Sequence, residues 1–460
     1  MNLSWLKKLP PLVIIYALAI ALCLSILVPR CKPAEAILND SYTYYYAVNQ
    51  LNEGKVDFLR TPVYPLFLDL TLAGDLHIEE PAATLLPSME QGMKLAEAVG
   101  YSPCIVYILQ NLIFLISLWC FYRVSVYVAR SRKVGFWLTL FFMIFSLISC
   151  EHCALMTESL SISGFIFLIY SACQVYRFRS VMHAILTCVW TFLLIFLRPS
   201  FIFLLPILFV VSIWLFWQKT CRKLAVVCLI GALVNATAVF LYMQEFKKQY
   251  GLFAITAVST INDYLCLHFY DMINPDEIEN AGLSASEAHF AQEKECASVT
   301  APLVDNAYRS KLFKHCGELV DEFGIVTLNQ EANRLISSHL LKYIENKGIY
   351  CIVHARYPLI KRFKGSLSLV GLNVGLVYFL IAISGFLFVR DLVLRRKIAW
   401  YALLLWMITT SNLLVIIIGA PDDYMRLLLP SHSINLLLAT YLVMRGRESL
   451  EIKRGGTVEV

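Results

Sequence analysis

The stretch LAVVCLIGALVNATAVFLYM, residues 224–243, runs for 20 residues without a charged side chain. A helix of about this length crosses a hydrocarbon core about 30 Å thick. The whole chain has the same character: of its 460 residues, 58% are hydrophobic and 16% are charged, whereas a soluble protein has about 25% charged residues. This composition excludes a soluble enzyme, a secreted disulfide-rich scaffold and a disordered chain. It predicts an all-α polytopic membrane protein.

Further apolar stretches of similar length predict about ten transmembrane helices in all. One alternative stays open, because Arg198-Pro199 separates 181–197 from 200–217 and could instead lie inside one broken helix. The ten predicted spans lie near 9–28, 104–128, 134–150, 157–175, 181–197, 200–217, 224–243, 368–389, 398–418 and 427–444.

Positive charges predict the orientation of these spans, because Lys and Arg accumulate in short cytoplasmic loops. If ten spans alternate, the basic clusters all fall on one side of the membrane, together with both termini, which are then cytoplasmic. The clusters lie at 7–8, 130–133, 177–179, 219–223, 390–397 and 445–454. The formal net charge of +6 therefore reflects topology, and no nucleic-acid partner is predicted.

Two long polar segments, 29–103 and 244–367, then lie outside the cytoplasm. An N-terminal membrane module over 1–243 precedes the second segment, and a C-terminal membrane module with a cytoplasmic tail follows it over 368–460. The second segment is long enough for a small domain, and its spacing gives no sign of a strand. It predicts helices over 284–297, 303–322 and 329–346.

The first outer segment brings acidic, aromatic and basic residues close together. Asp40, Tyr44 and Ala47 share one face of a predicted helix. The stretch RTPVYPLFLDL, residues 60–70, has two prolines within four residues, which predicts that it is not a regular helix. We expect this apolar stretch to return toward the membrane surface.

Cysteine and histidine residues give little support for a metal site. The run Cys150-Glu151-His152-Cys153 has zinc-ligand residue types but offers only one cysteine pair. Asp40 and Glu158 could together hold a divalent ion, so a metal is not excluded, but no cofactor is predicted. If the compartment is oxidising, disulfides are expected in the second outer segment. Its cysteines are Cys266, Cys296, Cys316 and Cys351.

Charged residues stand at the outer ends of the predicted spans. A charge costs about 2.5–3.5 kcal/mol at the bilayer centre and less toward the edge. Each charge alone has an ordinary explanation, as a solvated loop residue, a snorkelling arginine or a helix cap. Together they bring five distant segments to one level of the membrane. They are Asp40, Arg60, Glu158, Arg198, Asp422, Asp423 and Arg426.

This set of residues suits transfer from a lipid-linked phosphate donor. Arginines bind phosphate through two N–H groups and offset its charge as it leaves. A carboxylate beside them can act as general base toward an acceptor hydroxyl. The prenyl tail of the donor would lie between the spans, which accounts for a site at the membrane surface.

The motifs around these residues resemble those of GT-C-type glycosyltransferases, in the branch of protein O-mannosyltransferases and lipid A aminoarabinose transferases. The first loop is similar through its aspartate after the first span, its tyrosine-rich helix and RTPVYPLFL. The resemblance continues, in the family's order, through MTESLSISGF, LRPSFIFLLP and DDYMRLLLPSHSINLLLA. It covers the first loop and most of the spans, but not 244–367.

The resemblance implies a GT-C-like bundle whose extracytoplasmic first loop carries the active site. It implies inverting transfer of a hexose or pentose from a polyprenyl-phosphate donor, without a nucleotide sugar. Asp40 matches the family's catalytic aspartate and is the expected general base, and Glu158 and Asp423 are supporting acids. The residues expected near the donor phosphate are Arg60, Tyr64, Arg198, Tyr424 and Arg426. Val63 replaces a usual glycine, and Asp422-Asp423 replaces a single acid in many relatives, which leaves the substrate open.

The sequon Asn39-Asp40-Ser41 overlaps the expected base, and a glycan there would obstruct the site in an endoplasmic-reticulum lumen. This favours a bacterial inner-membrane protein of the cell envelope that uses undecaprenyl phosphate, with a glycan, lipid or protein acceptor. Two alternatives stay open. A polysaccharide polymerase or ligase acting on diphosphate-linked glycans predicts an arginine-rich outer loop, whereas 244–367 is net acidic. A non-enzymatic transporter predicts midplane charges and internal repeats, which the predicted spans lack.

Overall fold

The computed structural model describes residues 10–30, 41–71, 104–148, 152, 154–218, 221–293, 306–354, 374–393, 400–419 and 429–453. Within these ranges the regular structure is helical, with 17 α-helices and no strand. The all-α part of the predicted fold class is therefore confirmed.

The helices are numbered here in chain order. The first nine are α1 Pro11–Arg30, α2 Ser41–Asn52, α3 Val63–Thr71, α4 Cys104–Ala129, α5 Arg132–Ile148, α6 Glu158–Phe178, α7 Val181–Leu197, α8 Leu204–Trp217 and α9 Arg222–Tyr250. The others are α10 Val258–Phe269, α11 Ala281–Glu293, α12 Asn306–Phe323, α13 Ile325–Ser338, α14 Leu340–His354, α15 Val374–Val393, α16 Trp400–Gly419 and α17 His432–Lys453. Short 3-10 helices occupy Pro199–Phe203, Pro275–Glu277 and Leu429–Ser431.

Five helical stretches among the described residues are long and apolar enough to cross a membrane, which indicates a membrane protein. They are α4, α6, Pro199–Trp217, α9 and Trp400–Ile418. Two shorter apolar stretches are Leu12–Ser25 and Val181–Leu197. Each of the ten predicted spans overlaps a helix, but the number of ten crossings stays a prediction.

The largest apolar core of the described residues is shared between helices α1–α8 and the C-terminal helices α15–α17, and a smaller cluster lies between α7, α8 and α9. Helix α4 packs against α5 and α6, α6 packs against α7, and α9 packs against both α7 and α8. The rings of Phe114, Phe121 and Phe165 are almost completely buried in the largest core. The outward faces instead expose large apolar side chains such as Trp217 and Leu241, as expected of surfaces that face lipid.

The helix is interrupted at Arg198, and the number of membrane crossings over 181–217 stays a prediction. Helix α7 ends at Leu197, Arg198 is extended with φ −153° and ψ 116°, and Pro199 opens a 3-10 helix. Proline restricts the residue before it to extended conformations. The pair Arg198-Pro199 therefore separates α7 from α8.

The prediction that 60–70 is not a regular helix is wrong, because Val63–Thr71 forms α3. Pro62 precedes the helix and Pro65 lies in its first turn, where no intrahelical N–H is needed. Leu68 is buried, whereas Leu70 is 74% exposed. One face of α3 therefore packs inside the protein through Leu68, and the opposite face exposes the apolar side chain of Leu70.

Helices α10 to α14 form a second helical unit, which we call the outer unit after its predicted side. Its core includes Tyr264, Leu265, Cys316 and Leu328, which are completely buried. Helices α11 and α12 correspond to the first two helices predicted for this segment. The third prediction was wrong in one respect: the stretch 329–346 is divided at His339, which lies between the end of α13 at Ser338 and the start of α14 at Leu340.

The first outer loop joins the outer unit to the end of α9. The Val56 N–H donates to the side-chain oxygen of Gln249 (3.0 Å), and the Tyr250 hydroxyl donates to the Val56 carbonyl (2.9 Å). Two residues on, the Phe58 carbonyl accepts from the Ala257 N–H (3.0 Å). The two polar segments therefore fold against each other, in agreement with a location on the same side of the membrane.

Lys347 joins the outer unit to the end of α16. The residue is 6% exposed, and its Nζ donates to the carbonyl of Ile418 (3.0 Å) and to Sγ of Cys266 (3.3 Å). The last carbonyls of a helix lack intrahelical partners, and a positive charge there is favourable. Lys347 thus fixes α14 on the C-terminal end of α16.

At the predicted cytoplasmic end, Asp391 ties α15 to α17. Asp391 is completely buried and accepts from the Arg445 guanidinium, and Arg390 lies 3.4 Å away. A buried carboxylate requires such partners. Basic residues of two predicted inner clusters therefore meet at one end of the bundle.

The cysteines of the second outer segment do not all behave as expected. Cys266 and Cys316 are free thiols, whereas Cys296 and the side chain of Cys351 lie outside the described residues. Cys104, at the start of α4, is disulfide-bonded. Disulfides persist in oxidising compartments, and the predicted topology places this end of α4 outside the cytoplasm.

We expect Gly231→Ala to separate α7 from α9. A Cβ at Gly231 would lie 2.2 Å from Sγ and 2.7 Å from Cβ of Cys188, so overpacking should destabilise the protein by about 1–3 kcal/mol. The measurement is the thermal unfolding midpoint in detergent. Gly348→Ala in α14 is the control, because nothing lies within 4 Å of its Cβ and alanine favours a helix by about 1 kcal/mol. An unchanged midpoint in Gly231→Ala would contradict this packing.

Candidate functional site

Four of the predicted site residues lie in the described part of the chain. They are Arg60, Tyr64, Glu158 and Arg198. The others, Asp40, Asp423, Tyr424 and Arg426, lie outside the described residues. The four come from three distant segments, and the structure joins them through a continuous series of side-chain contacts where α2 and α3 meet α6 and α7. We call this group the outer polar cluster.

Glu158 and Arg198 form a buried ion pair in this cluster. Glu158 opens α6 with its side chain 1% exposed, and Arg198 follows α7 with its side chain 13% exposed. Arg198 Nη2 lies 3.4 Å from Glu158 Oε1. Removing either charge from water costs several kcal/mol, so each requires the other. The first turn of a helix also favours the negative charge of Glu158.

The extended backbone of Arg198 holds its guanidinium at this position. Its N–H donates to the Leu194 carbonyl (3.0 Å), and its Cζ lies 5.9 Å from the centre of the Phe201 ring. The buried Nη1 has no hydrogen-bond partner among the described residues. Because buried N–H groups are normally paired, this nitrogen is a donor that an anionic ligand can satisfy.

Tyr44 connects the first outer loop to the ion pair. Its hydroxyl donates to Thr157 Oγ1 (3.4 Å), and the Thr157 hydroxyl donates in turn to Glu158 Oε2 (3.5 Å). Thr157 immediately precedes α6, and Tyr44 lies in the first turn of α2. This relay holds the beginning of α2 against the beginning of α6.

Arg60 contacts the same tyrosine. Its Cζ lies 4.5 Å from the centre of the Tyr44 ring, and its Nε donates to Thr43 Oγ1 (2.6 Å). The preceding turn is fixed by Asp57 Oδ1, which accepts from the N–H groups of Leu59 (2.9 Å) and Arg60 (2.6 Å). Burial raises the pKa of Asp57 to about 6, although these N–H groups and the Arg60 charge act to lower it.

Tyr64 anchors α3 on α4. Its ring meets Tyr44 edge to face at 4.7 Å, and its hydroxyl donates to Gln110 Oε1 (3.0 Å). Burial, with Tyr44 beside it, raises the pKa of Tyr64 well above its ordinary value, so it stays a neutral donor. Gln110 Nε2 donates to the carbonyls of His152 (3.2 Å) and Ala154 (3.0 Å). The loop before α6 is thereby fixed to α4.

His152 packs this loop. Its Nε2 lies 2.8 Å from Ser146 Oγ and its Nδ1 lies 2.7 Å from Ser159 Oγ. Its ring lies 4.0 Å from that of Phe114, and burial lowers the pKa of His152 to about 3. The histidine of the possible zinc motif is therefore neutral, with both nitrogens engaged by hydroxyls. The cysteines on either side of it lie outside the described residues.

The described part of the outer polar cluster is rich in donors for an anion. Arg60 and Arg198 are basic, Glu158 pairs with Arg198, and the hydroxyl of Tyr44 donates a hydrogen bond. A guanidinium binds phosphate or carboxylate oxygens through parallel N–H groups. The arrangement can therefore hold an anionic oxygen beside the Glu158–Arg198 pair.

The sequence analysis missed the polar side chains that hold the cluster together. Gln110 and Asn111 could have been noticed in the sequence, because two neighbouring amides interrupt the apolar run of 104–128. Polar groups within a membrane span usually have a partner or a function. Asn111 Nδ2 also donates to the His152 carbonyl (3.2 Å). Thr43 and Thr157 carried none, since a threonine at a helix end is common.

Comparison of the chain with protein-family models, with curated proteins and with solved structures finds no match. Its function is therefore argued from the residues of the outer polar cluster.

We expect Arg198→Gln and Glu158→Gln each to destabilise the protein by about 3 kcal/mol, because each removes one charge of a buried ion pair. Arg198→Gln should cost more, since Glu158 is the more deeply buried partner. The double variant should cost less than the sum of the two. The measurement is a double-mutant cycle on unfolding midpoints.

The control for this cycle is the pair Lys248–Glu245, which is closer, at 2.7 Å, but 71% and 46% exposed. Exposed pairs contribute about 0–1 kcal/mol, so the same glutamine substitutions there should change little. Equal losses at the two pairs would show that burial is not the deciding quantity.

We expect the stability contribution of Asp57 to depend on pH. Because its pKa is raised to about 6 on folding, its contribution is complete below the ordinary value near 4 and is lost as the pH rises through 6. The wild-type protein should therefore lose a few degrees of unfolding midpoint relative to Asp57→Asn between pH 5 and pH 7.5. A difference that stays constant with pH would contradict the raised pKa.

Proposed function

We propose that the protein is an inverting glycosyltransferase that moves a sugar from a polyprenyl-phosphate donor to an acceptor on the extracytoplasmic side of the membrane. The observation that carries this proposal is the buried Glu158–Arg198 pair, whose Arg198 Nη1 has no partner among the described residues. It lies in a protein with helices apolar enough to span a bilayer. A lipid-linked phosphate is an anion that can reach the N–H groups of Arg198 in a membrane protein.

Arg198 and Arg60 would bind the donor phosphate. Arg198 is positioned by Glu158, and Arg60 is positioned by Thr43 and the Tyr44 ring. Guanidinium groups held in advance stabilise the negative charge that collects on the phosphate as the glycosidic bond breaks. In this proposal Tyr64 supports the arginines by fixing Tyr44, and Tyr424 and Arg426 complete the phosphate site from the C-terminal module.

Asp40 would be the general base. It directly precedes Ser41, the completely buried first residue of α2, and α2 also carries Tyr44. As the acceptor oxygen bonds to the anomeric carbon, Asp40 takes the hydroxyl proton, and the phosphate oxygen leaves with the bonding electrons. Attack opposite the leaving group inverts the anomeric configuration. Glu158 and Asp423 would support the site as acids that position the arginines.

The finer architecture belongs to the same proposal. A GT-C-like bundle of about ten transmembrane helices would place the outer polar cluster at the membrane surface and the prenyl tail between helices. A bacterial inner membrane, cytoplasmic termini and undecaprenyl phosphate fit this arrangement, and the disulfide at Cys104 supports an oxidising compartment on the outer side. The acceptor would be a glycan, a lipid or a protein of the cell envelope.

The test is a transfer assay on the purified protein in lipid, with a panel of undecaprenyl-phosphate sugars and crude envelope as acceptor. Release of undecaprenyl phosphate, measured by mass spectrometry, is expected from one donor. Asp40→Asn should lower the rate about 10²–10⁴-fold, as for loss of a general base. Arg198→Lys keeps the charge opposite Glu158 but loses the two-pronged contact, and should lower it at least about tenfold.

Arg177→Lys, at the opposite end of α6 from Glu158, is the matched control and should keep the wild-type rate. If Asp40→Asn still releases undecaprenyl phosphate, the proposed reaction class stands, but the general base is a residue other than Asp40. If no donor gives release of undecaprenyl phosphate, the result favours a polymerase or ligase acting on diphosphate-linked glycans, or a transporter.

A further inference from the structure

We propose that His268, Glu287 and His315 of the outer unit bind one divalent transition-metal ion, zinc being the best match. One ligand atom from each residue lies within 4.8 Å of the other two, and all three residues are buried. The site is separate from the outer polar cluster and does not depend on the proposed transferase activity.

The distances fit a metal polyhedron. Glu287 Oε1 lies 3.3 Å from His268 Nε2 and 3.1 Å from His315 Nε2. Ligands that surround zinc tetrahedrally at about 2.0 Å stand about 3.3 Å from one another. The two nitrogens are within 4.8 Å, so a modest rotation of the imidazole rings completes the set. Two histidines and one glutamate are the protein ligands of several zinc enzymes.

One oxygen of Glu287 has more neighbours than it can accept hydrogen bonds from. The same Glu287 oxygen accepts from the Tyr264 hydroxyl (2.7 Å) and faces both histidine nitrogens. A carboxylate oxygen has about two lone pairs, so three partners exceed its capacity. A cation among the three ligand atoms uses one lone pair in place of two hydrogen bonds.

The surroundings hold the ligands in a fixed orientation. Phe290 stacks on the His315 ring at 4.1 Å with an interplanar angle of 5° and meets the His268 ring at 5.6 Å. The Tyr264 hydroxyl fixes the Glu287 carboxylate, as outer-shell donors do in metal sites. The ligands come from α10, α11 and α12, so an ion would cross-link three helices of the outer unit. We assign it a structural role there.

The test is metal binding by the full-length protein in detergent, purified with a tag that contains no histidine and stripped with a chelator. Titration with Co²⁺ should give one equivalent per chain and the visible bands of low-coordinate cobalt, and one equivalent of Zn²⁺ should displace it. His315→Ala and Glu287→Gln should weaken the affinity at least about 100-fold, and Tyr264→Phe, which keeps all three ligands, about tenfold.

His339→Ala is the matched control, because His339 Nε2 pairs with Glu277 Oε2 at 2.7 Å on the surface, with the side chains 39% and 41% exposed. It should bind Co²⁺ as the wild type does. If the ligand variants fail to fold, the wild type alone decides: saturating Zn²⁺ should raise its unfolding midpoint by several degrees. The absence of cobalt bands together with an unchanged midpoint would overturn the proposal, and so would an equal loss in His339→Ala.

Discussion

A buried carboxylate is costly unless a positive charge or hydrogen-bond donors are buried with it, and Glu158 meets this requirement through Arg198. Glu158 begins α6, and Arg198 occupies the extended break between α7 and Pro199. The pair therefore fixes the first turn of α6 relative to the last residues of α7. The hydroxyl of Tyr44 attaches α2 to this pair through Thr157, and Tyr64 attaches α3 to Gln110 of α4.

The outer unit depends on the membrane helices in a similar way. In the first outer loop, Val56 pairs with the end of α9 and Phe58 accepts from Ala257 at the start of the outer unit, while Lys347 binds the unit to the end of α16. Each of these bonds satisfies a backbone group of a loop or of a helix end. The unit is thus attached at two separate helix ends, and the first outer loop lies between it and the outer polar cluster.

Local signals predicted the apolar helices well, because twenty apolar residues in a row admit few other structures. They failed where position within a helix mattered: Pro62 and Pro65 break a helix interior but are tolerated at the beginning of α3. For distant segments, the sequence predicted only that Arg60, Glu158 and Arg198 lie at the same depth in the membrane. It did not predict which of these side chains contact each other. Groups such as His268, Glu287 and His315 have no short spacing that a sequence pattern can register, so only the fold brings them together.

Helix α9 has 29 residues, about 44 Å at 1.5 Å per residue, whereas a hydrocarbon core is about 30 Å thick. Its last turns therefore stand clear of the lipid and carry Phe246, completely buried, into the core of the outer unit. Helix α9 therefore connects the apolar segment directly to the core of the outer unit. If α9 crosses a bilayer, we expect a change in bilayer thickness to change its tilt, and the outer unit, whose core holds Phe246, to move with the end of the helix.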